Sequence, residues 1–95
     1  MYSGDKRLNY TFQKEDSPII FGRGKSCKVN INSNVLSKKH TTVEYNDLNE
    51  NWIIRDGYER NFSLNGTWLC LNARYELRDE DYIKIGNNVV KIEMN

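Results

Sequence analysis

Three side chains in this sequence are of the types that bind a phosphate monoester. Arg23 lies between Gly22 and Gly24, where flexible backbone can turn the chain away from a strand end. Ser37 and Lys38 open the next alternating segment and supply a hydroxyl and an ammonium group. A phosphate dianion is bound by a guanidinium fork, a point charge and short donors on adjacent loops. Arg23, Ser37 and Lys38 therefore predict an anion site, if the fold brings their loops together.

The distribution of charge supports a small anionic ligand rather than a long one. The formal net charge is only +1, which argues against a protein that wraps nucleic acid. The segment 17–43 nevertheless contains no Asp or Glu, and it carries the cations Arg23, Lys25, Lys28, Lys38 and Lys39. We predict no nucleic-acid partner. Two alternatives remain: a lysine-rich solvated surface, and nucleic-acid binding that uses these lysines with stacked aromatic rings.

The same residues do not suggest catalysis or metal binding. His40 is the only histidine, and Ser37 lacks the glycines of a nucleophile elbow and an acid to orient a base. One histidine with the distant Cys27 and Cys70 does not make a zinc site. The sequence predicts a protein that is not an enzyme and needs no cofactor or metal.

The elements that must position these side chains are β-strands. In 40–45, Thr41, Val43 and Tyr45 share one face, and this period of two recurs along the chain. The predicted strands are Leu8–Phe12, Pro18–Phe21, Val29–Ile31, His40–Tyr45, Trp52–Arg55, Thr67–Leu69, Tyr82–Ile85 and Val90–Met94. The segment 86–88 predicts a tight hairpin turn. Short strands with frequent turns and no helical stripe indicate an all-β antiparallel sandwich or barrel.

The chain is expected to form one domain over residues 1–95, because it has no linker, repeat or low-complexity tract. No apolar run approaches the roughly 18–20 residues of a membrane span, so no membrane partner is predicted. No apolar stretch follows residues 1–7, which argues against a secretory signal. With two cysteines and no signal, an intracellular location with reduced thiols, nuclear or cytoplasmic, is expected.

Three blocks in this order, Phe21–Arg23, Ser37–His40 and Asn65–Thr67, resemble the signature blocks of forkhead-associated (FHA) domains. Residues 77–86 resemble the terminal strand of the same family, so that the similarity covers about residues 18–94. The segments Phe21–Cys27 and Ser37–His40 together are most similar to those of checkpoint-type protein kinases. The resemblance implies a sandwich of two twisted antiparallel sheets, of the FHA/SMAD-like class. It also implies a core at about 8–94 and loops at one end that bind phosphothreonine peptides.

The resemblance also implies a role for each matching residue. Arg23 and Ser37 are expected to contact the phosphate, and Lys38 to add charge. Asn65 is expected to hydrogen-bond the peptide backbone. The loop-shaping residues are expected to be Gly22, His40 and Gly66.

Specificity is expected from positions where the chain departs from the family. Many members have Thr or Ser where this chain has Leu64, which cannot donate to phosphate. We therefore expect either a weaker affinity for phosphate or a transfer of this contact to Ser63 or Lys38. The side chain of Lys39 could face either the ligand or the loop. Val35 lies where the family often reads the third residue after the phosphothreonine, and it predicts an apolar preference. The segment Gly57–Leu64, longer than usual for the family, carries Arg60 and Phe62.

The resulting functional prediction is a phosphothreonine-peptide recognition module that mediates phosphorylation-dependent protein–protein interaction in signalling, as in the regulatory domain of a kinase. Any catalytic partner would lie outside this chain. The alternative keeps the FHA fold for interaction or self-association independent of phosphate. Self-association through a phosphorylated segment outside this chain is a further expectation within the first reading.

Overall fold

A computed structural model describes residues 8–94, which divide into two compact units. The first unit, residues 9–67, contains a four-stranded sheet in the order β2-β1-β3-β4. A 3-10 turn at Lys14–Asp16 precedes the sheet. Its strands are β1 (Ile19–Gly22), β2 (Val29–Asn30), β3 (Thr41–Asn46) and β4 (Asn51–Asp56).

The register of the sheet decides where the loops emerge. β3 pairs antiparallel with β4 from Thr41 opposite Asp56, and β1 pairs antiparallel with β3 from Phe21 opposite Thr41. The end of β1, the start of β3 and the end of β4 therefore lie at the same edge of the sheet. β1 and β2 pair in parallel, with Phe21 opposite Val29, so this one pairing departs from the antiparallel pattern.

The core of the first unit is small and built from β-branched side chains. Ile19, Val29 and Thr42 are its largest fully buried residues. Thr42 is accommodated because its hydroxyl donates a hydrogen bond of 2.7 Å to Gly57 O. β-Branched residues suit these positions because they pack well on a pleated surface.

The second unit comprises Leu8 and residues 68–94 of the described chain. It contains a hairpin of β5 (Tyr82–Ile85) and β6 (Asn88–Lys91), paired antiparallel. Gly86 begins the two-residue turn with φ of +59°. A type II′ turn needs a positive φ at this position, which explains the glycine. The predicted hairpin is confirmed, with Asn88 already in β6.

The predicted all-β class is confirmed, because the described residues form two sheets and no α-helix. Within residues 8–94, no helix has the length and apolar character that crossing a membrane requires. The prediction of one domain over 1–95 stays a prediction.

Two predicted strands are wrong, since Leu8–Phe12 and Thr67–Leu69 have no strand structure. An alternating pattern shows which side chains could share a face, but a strand also needs a backbone partner in register. In the first segment, the rings of Tyr10 and Phe12 stack on each other at 5.8 Å instead. In the second, the Thr67 hydroxyl is engaged by side-chain hydrogen bonds. The last predicted strand, Val90–Met94, lies earlier, at 88–91.

Candidate functional site

Three loops of the first unit meet at one edge of its sheet, which we call the loop edge. The first loop (23–28) follows β1, the second (31–40) precedes β3, and the third (57–66) follows β4. The strand register places all three at this edge. The three FHA-like blocks of the sequence therefore lie on neighbouring loops.

The first and second loops are joined through their backbones. Arg23 N–H donates to Ser37 O at 3.2 Å, and Gly24 N–H donates to Lys38 O at 3.1 Å. At Gly22, a Cβ atom would lie 2.2 Å from Lys38 O. No side chain fits at that distance, so this approach of the two loops requires glycine at position 22.

His40 joins the second loop to the third. Its buried ring accepts a hydrogen bond from Ser37 N–H at Nδ1 (3.0 Å), and its Nε2 lies 2.8 Å from Gly66 O. The neutral tautomer with its proton on Nε2 satisfies both contacts. The backbone of His40 also bonds to Phe21 O at 2.8 Å and to Gly57 N–H at 2.6 Å. Through these bonds His40 fixes the relative positions of Ser37 and Gly66.

Asp56 organises the third loop, and the sequence analysis did not identify it. Its carboxylate accepts from the Ser63 hydroxyl, from Ser63 N–H at 2.9 Å and from the Thr67 hydroxyl at 2.7 Å. The Ser63 oxygen in turn accepts from Gly66 N–H at 2.8 Å. An acid that directly follows a predicted strand and precedes a serine-containing turn was the signal that could have revealed it.

The charge state of Asp56 reflects these bonds. Burial acts to raise its pKa, but the hydrogen bonds donated by Ser63 and Thr67 outweigh burial, so the pKa lies below its ordinary value. The carboxylate is therefore ionised at neutral pH. Because an ionised carboxylate only accepts, Thr67 donates to Asp56 and Thr41 donates to Thr67 across 2.7 Å.

Arg23 and Ser37 are joined through their backbones at the loop edge, and each side chain has its own partner. Arg23 is exposed and donates from Nε to Leu36 O at 2.7 Å, which anchors the guanidinium on the second loop. Within residues 8–94 the one ion pair joins Arg55 to Glu44, so no described acid neutralises Arg23. The Ser37 hydroxyl oxygen accepts from Leu64 N–H at 3.1 Å, which leaves its hydrogen to donate.

The two lysines after Ser37 differ in their surroundings. Lys38 is exposed, and its Cβ lies 3.5 Å from where a Cβ on Gly24 would be, which sets the base of its side chain against the first loop. Lys39 places Nζ 4.3 Å from the centroid of the Tyr58 ring, a cation–π distance. Lys39 thus contacts the third loop, which gives a physical reason to regard it as a loop residue.

The remaining predicted residues lie where the second and third loops meet. Asn65 donates from Nδ2 to Val35 O at 2.7 Å. Ser63 is turned toward Asp56, whereas Leu64 is 88% exposed. Of the two donors expected to compensate for Leu64, the geometry therefore favours Lys38 over Ser63.

The loop edge is positively charged and has no cluster of metal ligands. The first and second loops carry Arg23, Lys25 and Lys38 and no acid. Among residues 8–94, no group of three or more His, Cys, Asp or Glu side chains is placed to hold a metal ion. A cavity of about 210 Å³ lies beneath the edge, lined by apolar side chains such as Leu36 and Ile54. An apolar cavity does not suit an anion, so the groups that could bind one are the exposed cations of the loops.

Comparison with known proteins gives one positive finding. The family model described as FHA domain matches residues 19–86, which is more than half of the chain. The match spans the four strands of the first unit and all three loops of the loop edge. No curated protein and no solved structure matches the chain.

Proposed function

We propose that this chain, which belongs to the FHA domain family, binds phosphothreonine-containing segments of other proteins at the loop edge. FHA domains generally mediate phosphothreonine-dependent protein interactions, and the family is one of binding modules rather than enzymes. The observation that carries the proposal is the backbone bond from Arg23 N–H to Ser37 O. It joins the first loop, which carries a guanidinium without a described acidic partner, to the second loop, which carries a hydroxyl with a hydrogen left to donate.

The proposed phosphate contacts come from three side chains. Arg23 donates from its guanidinium, Ser37 donates from its hydroxyl, and Lys38 supplies a mobile positive charge. A hydrogen bond to a charged group contributes about 1.5–3 kcal/mol. Three such contacts are consistent with a dissociation constant in the micromolar range, about −8 kcal/mol, once the cost of association is included.

The other residues of the three blocks have supporting roles in this proposal. Asn65 bonds the backbone of the bound segment, and its link to Val35 O holds it beside the second loop. Gly22 allows the first two loops to approach, and His40 and Gly66 form the bridge between the second and third loops. Lys39 supports the third loop through Tyr58.

We further propose that the domain works within a signalling protein. The similarity of 21–27 and 37–40 to checkpoint-type kinases supports a regulatory domain of such a kinase, in the nucleus or cytoplasm. Its partner would be a phosphorylated protein, including another copy of the parent protein phosphorylated outside this chain.

The test is a comparison of phosphorylated and unphosphorylated peptides on the whole chain. A phosphothreonine peptide library, with phosphoserine and unphosphorylated controls, identifies a binding peptide by fluorescence anisotropy. We expect phosphorylation to strengthen binding at least tenfold, about 1.4 kcal/mol. Arg23→Ala should abolish this difference without unfolding the protein. Arg55→Ala, which removes an arginine paired with Glu44 instead, should preserve it.

Equal binding of both peptide forms by the folded protein would refute the proposal. The phosphate-independent interaction or self-association weighed from the sequence would then take its place. The exposure of Leu64 favours this second function, because an apolar side chain occupies a position at which many FHA domains have a Thr or Ser. An interface mapped away from Arg23 and Ser37 would support it.

A further inference from the structure

The third loop contains a dipeptide whose two residues can react with each other. Asn65–Gly66 is the one Asn–Gly pair in the sequence. An asparagine followed by glycine is prone to deamidation, because glycine has no Cβ to keep its backbone nitrogen away from the amide carbon of the asparagine side chain. Asn65 is also exposed, so water can reach the site. The dipeptide is therefore a candidate for spontaneous covalent modification.

Deamidation proceeds in two steps that need only water. The Gly66 nitrogen loses its proton and attacks Cγ of Asn65, the bond from Cγ to Nδ2 breaks, and ammonia leaves with a proton taken from the solvent. Water then hydrolyses the resulting succinimide at either of its two carbonyl groups. The products are aspartate, or isoaspartate, in which the main chain runs through the former side chain. In both products a neutral amide has become a carboxylate.

The Gly66 nitrogen is held in its protonated, unreactive form. Gly66 N–H donates to Ser63 Oγ at 2.8 Å, and the Ser63 hydroxyl donates in turn to the Asp56 carboxylate. A hydroxyl that donates to a carboxylate is a stronger hydrogen-bond acceptor, but it remains far too weak a base to remove an amide proton. The pKa of Asp56 lies below its ordinary value, so this carboxylate is a poor base too. The two bonds thus occupy Gly66 N–H without activating the nitrogen.

The side chain of Asn65 is restrained as well. Its Nδ2 donates to Val35 O at 2.7 Å, which attaches the amide group to the second loop. Attack at Cγ makes this planar carbon tetrahedral, so the side chain has to reorient against that bond. The peptide that follows is fixed from the other side, because His40 Nε2 donates to Gly66 O at 2.8 Å. Both reacting groups are therefore held by partners in the folded loops.

The position of Asn65 makes either product harmful to the loop edge. Asn65 directly follows the residue whose N–H bonds the Ser37 hydroxyl. A carboxylate at position 65 has no hydrogen to donate to Val35 O, so the two oxygens would repel each other. It would also add a negative charge next to loops whose cations are proposed to bind phosphate. Deamidation is thus expected to separate the second and third loops and to repel an anionic ligand.

We propose that Asn65–Gly66 is a latent deamidation site, which Ser63 and Asp56 keep unreactive in the folded loop and whose modification ends phosphopeptide binding. Opening of the third loop frees Gly66 N–H from Ser63 and starts a one-way loss of activity. The effect on binding rests on the proposed function. The protected site itself does not rest on it, because the modification is detected by mass.

The first experiment measures the rate of deamidation in the whole chain. The protein is incubated at mildly alkaline pH, either folded or unfolded in guanidinium chloride, and its proteolytic peptides are analysed by liquid chromatography and mass spectrometry. We expect Asn65 to react about tenfold more slowly in the folded wild type than in the unfolded chain, about 1.4 kcal/mol in activation free energy. Equal rates in the two states, or no reaction at Asn65 in the unfolded chain, would overturn the proposal.

Variants locate the protection on the protein. Ser63→Ala should bring the rate at Asn65 in the folded protein to within about threefold of the rate in the unfolded chain, whereas Ser63→Thr keeps the hydroxyl and should stay near the wild type. Ser26→Ala is the matched control, because it removes an exposed serine hydroxyl on the first loop and should leave the rate unchanged. The pair Asn32–Ser33 on the second loop is the internal reference for general loosening of the fold. An unchanged or slower rate at Asn65 in Ser63→Ala, or an equal acceleration at Asn32, contradicts local protection.

The second experiment measures the effect of the modification on binding. The deamidated chain is separated from the unmodified chain by ion exchange, since it carries an added negative charge. Fluorescence anisotropy then compares the two with the same phosphothreonine peptide. We expect the deamidated chain, and likewise Asn65→Asp, to bind about tenfold more weakly.

The outcomes separate this inference from the proposed function. Equal affinity of the modified and unmodified chains for the phosphopeptide overturns the inactivation while the proposed function stands. Loss of phosphate dependence in the unmodified chain overturns the proposed function, and with it the effect of deamidation on binding. The rates at Asn65 decide on the protected site in either case.

Discussion

Replacement of His40 tests whether one buried ring holds the binding loops together. His40→Ala removes the acceptor of Ser37 N–H and the partner of Gly66 O. His40→Asn can keep a group near the position of Nδ1, and so the contact to Ser37. His40→Gln can reach the position of Nε2, and so the contact to Gly66. The three variants therefore separate the two bonds.

The magnitude follows from the number of partners left behind. A polar group that loses its partner inside the protein costs about 1–3 kcal/mol, and His40→Ala leaves two such groups in partly buried surroundings. We expect His40→Ala to lower the free energy of unfolding by about 2–5 kcal/mol. For a domain of this size, 1 kcal/mol shifts the Tm by about 4–8 °C, so a fall of about 10 °C or more is expected. The Asn and Gln variants should lie between this value and the wild type.

Urea denaturation followed by tryptophan fluorescence measures the free energy of unfolding, and anisotropy measures phosphopeptide affinity. Under conditions in which the variant is folded, His40→Ala should also bind phosphopeptide more weakly than the wild type, because Ser37 loses its fixed position. His40→Asn should retain more affinity than His40→Gln, since it preserves the bond to the Ser37 loop. A Tm for His40→Ala within about 2 °C of the wild type, less than 1 kcal/mol, would refute the bridging role.

Three further predictions concern the loops and the sheet. Gly22→Ala should destabilise the protein and weaken phosphopeptide binding, because the new Cβ would lie 2.2 Å from a backbone oxygen of the second loop. Gly86→Ala has open space around its new Cβ, so it should cost only the strain of its positive φ, about 1–2 kcal/mol, and should retain binding. Equal effects of the two variants on binding would contradict this reasoning. The pKa of Asp56 is below its ordinary value of 3.8, so its contribution to the free energy of unfolding is complete above that pH and is lost as the pH falls through the lowered pKa. Asp56→Asn should therefore flatten the acidic limb of stability measured by urea denaturation between pH 6 and pH 2, roughly the range where carboxylates titrate, and an unchanged slope would exclude it as the source. Lys38→Ala should weaken phosphopeptide binding and make that binding less dependent on salt. Lys39→Ala should chiefly lower the free energy of unfolding, by about 0.5–1 kcal/mol, because the Lys39 ammonium lies over the Tyr58 ring. The reverse pattern, in anisotropy for binding and in denaturation for stability, would show that the roles of Lys38 and Lys39 are exchanged.

The sequence predicted the sheet well where alternation was long enough to specify a face. The pattern of Thr41, Val43 and Tyr45 predicted β3, and the turn at 86–88 predicted the hairpin. It failed at Leu8–Phe12, where alternating residues find no backbone partner. Periodicity describes one strand at a time, whereas a strand exists only when another lies in register beside it.

The residues of the candidate site could be predicted from the sequence, but the hydrogen bonds that connect its loops could not. The resemblance brought Arg23, Ser37 and Asn65 into one hypothesis before their loops were seen to share an edge. It gave no indication of Asp56, because the bonds that make this residue important reach across seven and eleven positions of the chain. Such bonds depend on the path of the third loop, which local sequence does not specify. The ring of Tyr58 likewise gives Lys39 a partner that no spacing rule suggested.

Leu64 limits where the proposed phosphate contacts can come from. Its N–H bonds the Ser37 hydroxyl, while its side chain points to solvent and cannot donate to phosphate. Ser63, the nearest hydroxyl, is bound to Asp56, so the third loop offers the phosphate no side-chain donor from position 63 or 64. The proposed phosphate contacts therefore come from side chains of the first two loops, while the third loop contributes Asn65 toward the backbone of the bound segment. Because salt screens charges, the part of the affinity that depends on Arg23 and Lys38 should weaken as the ionic strength rises.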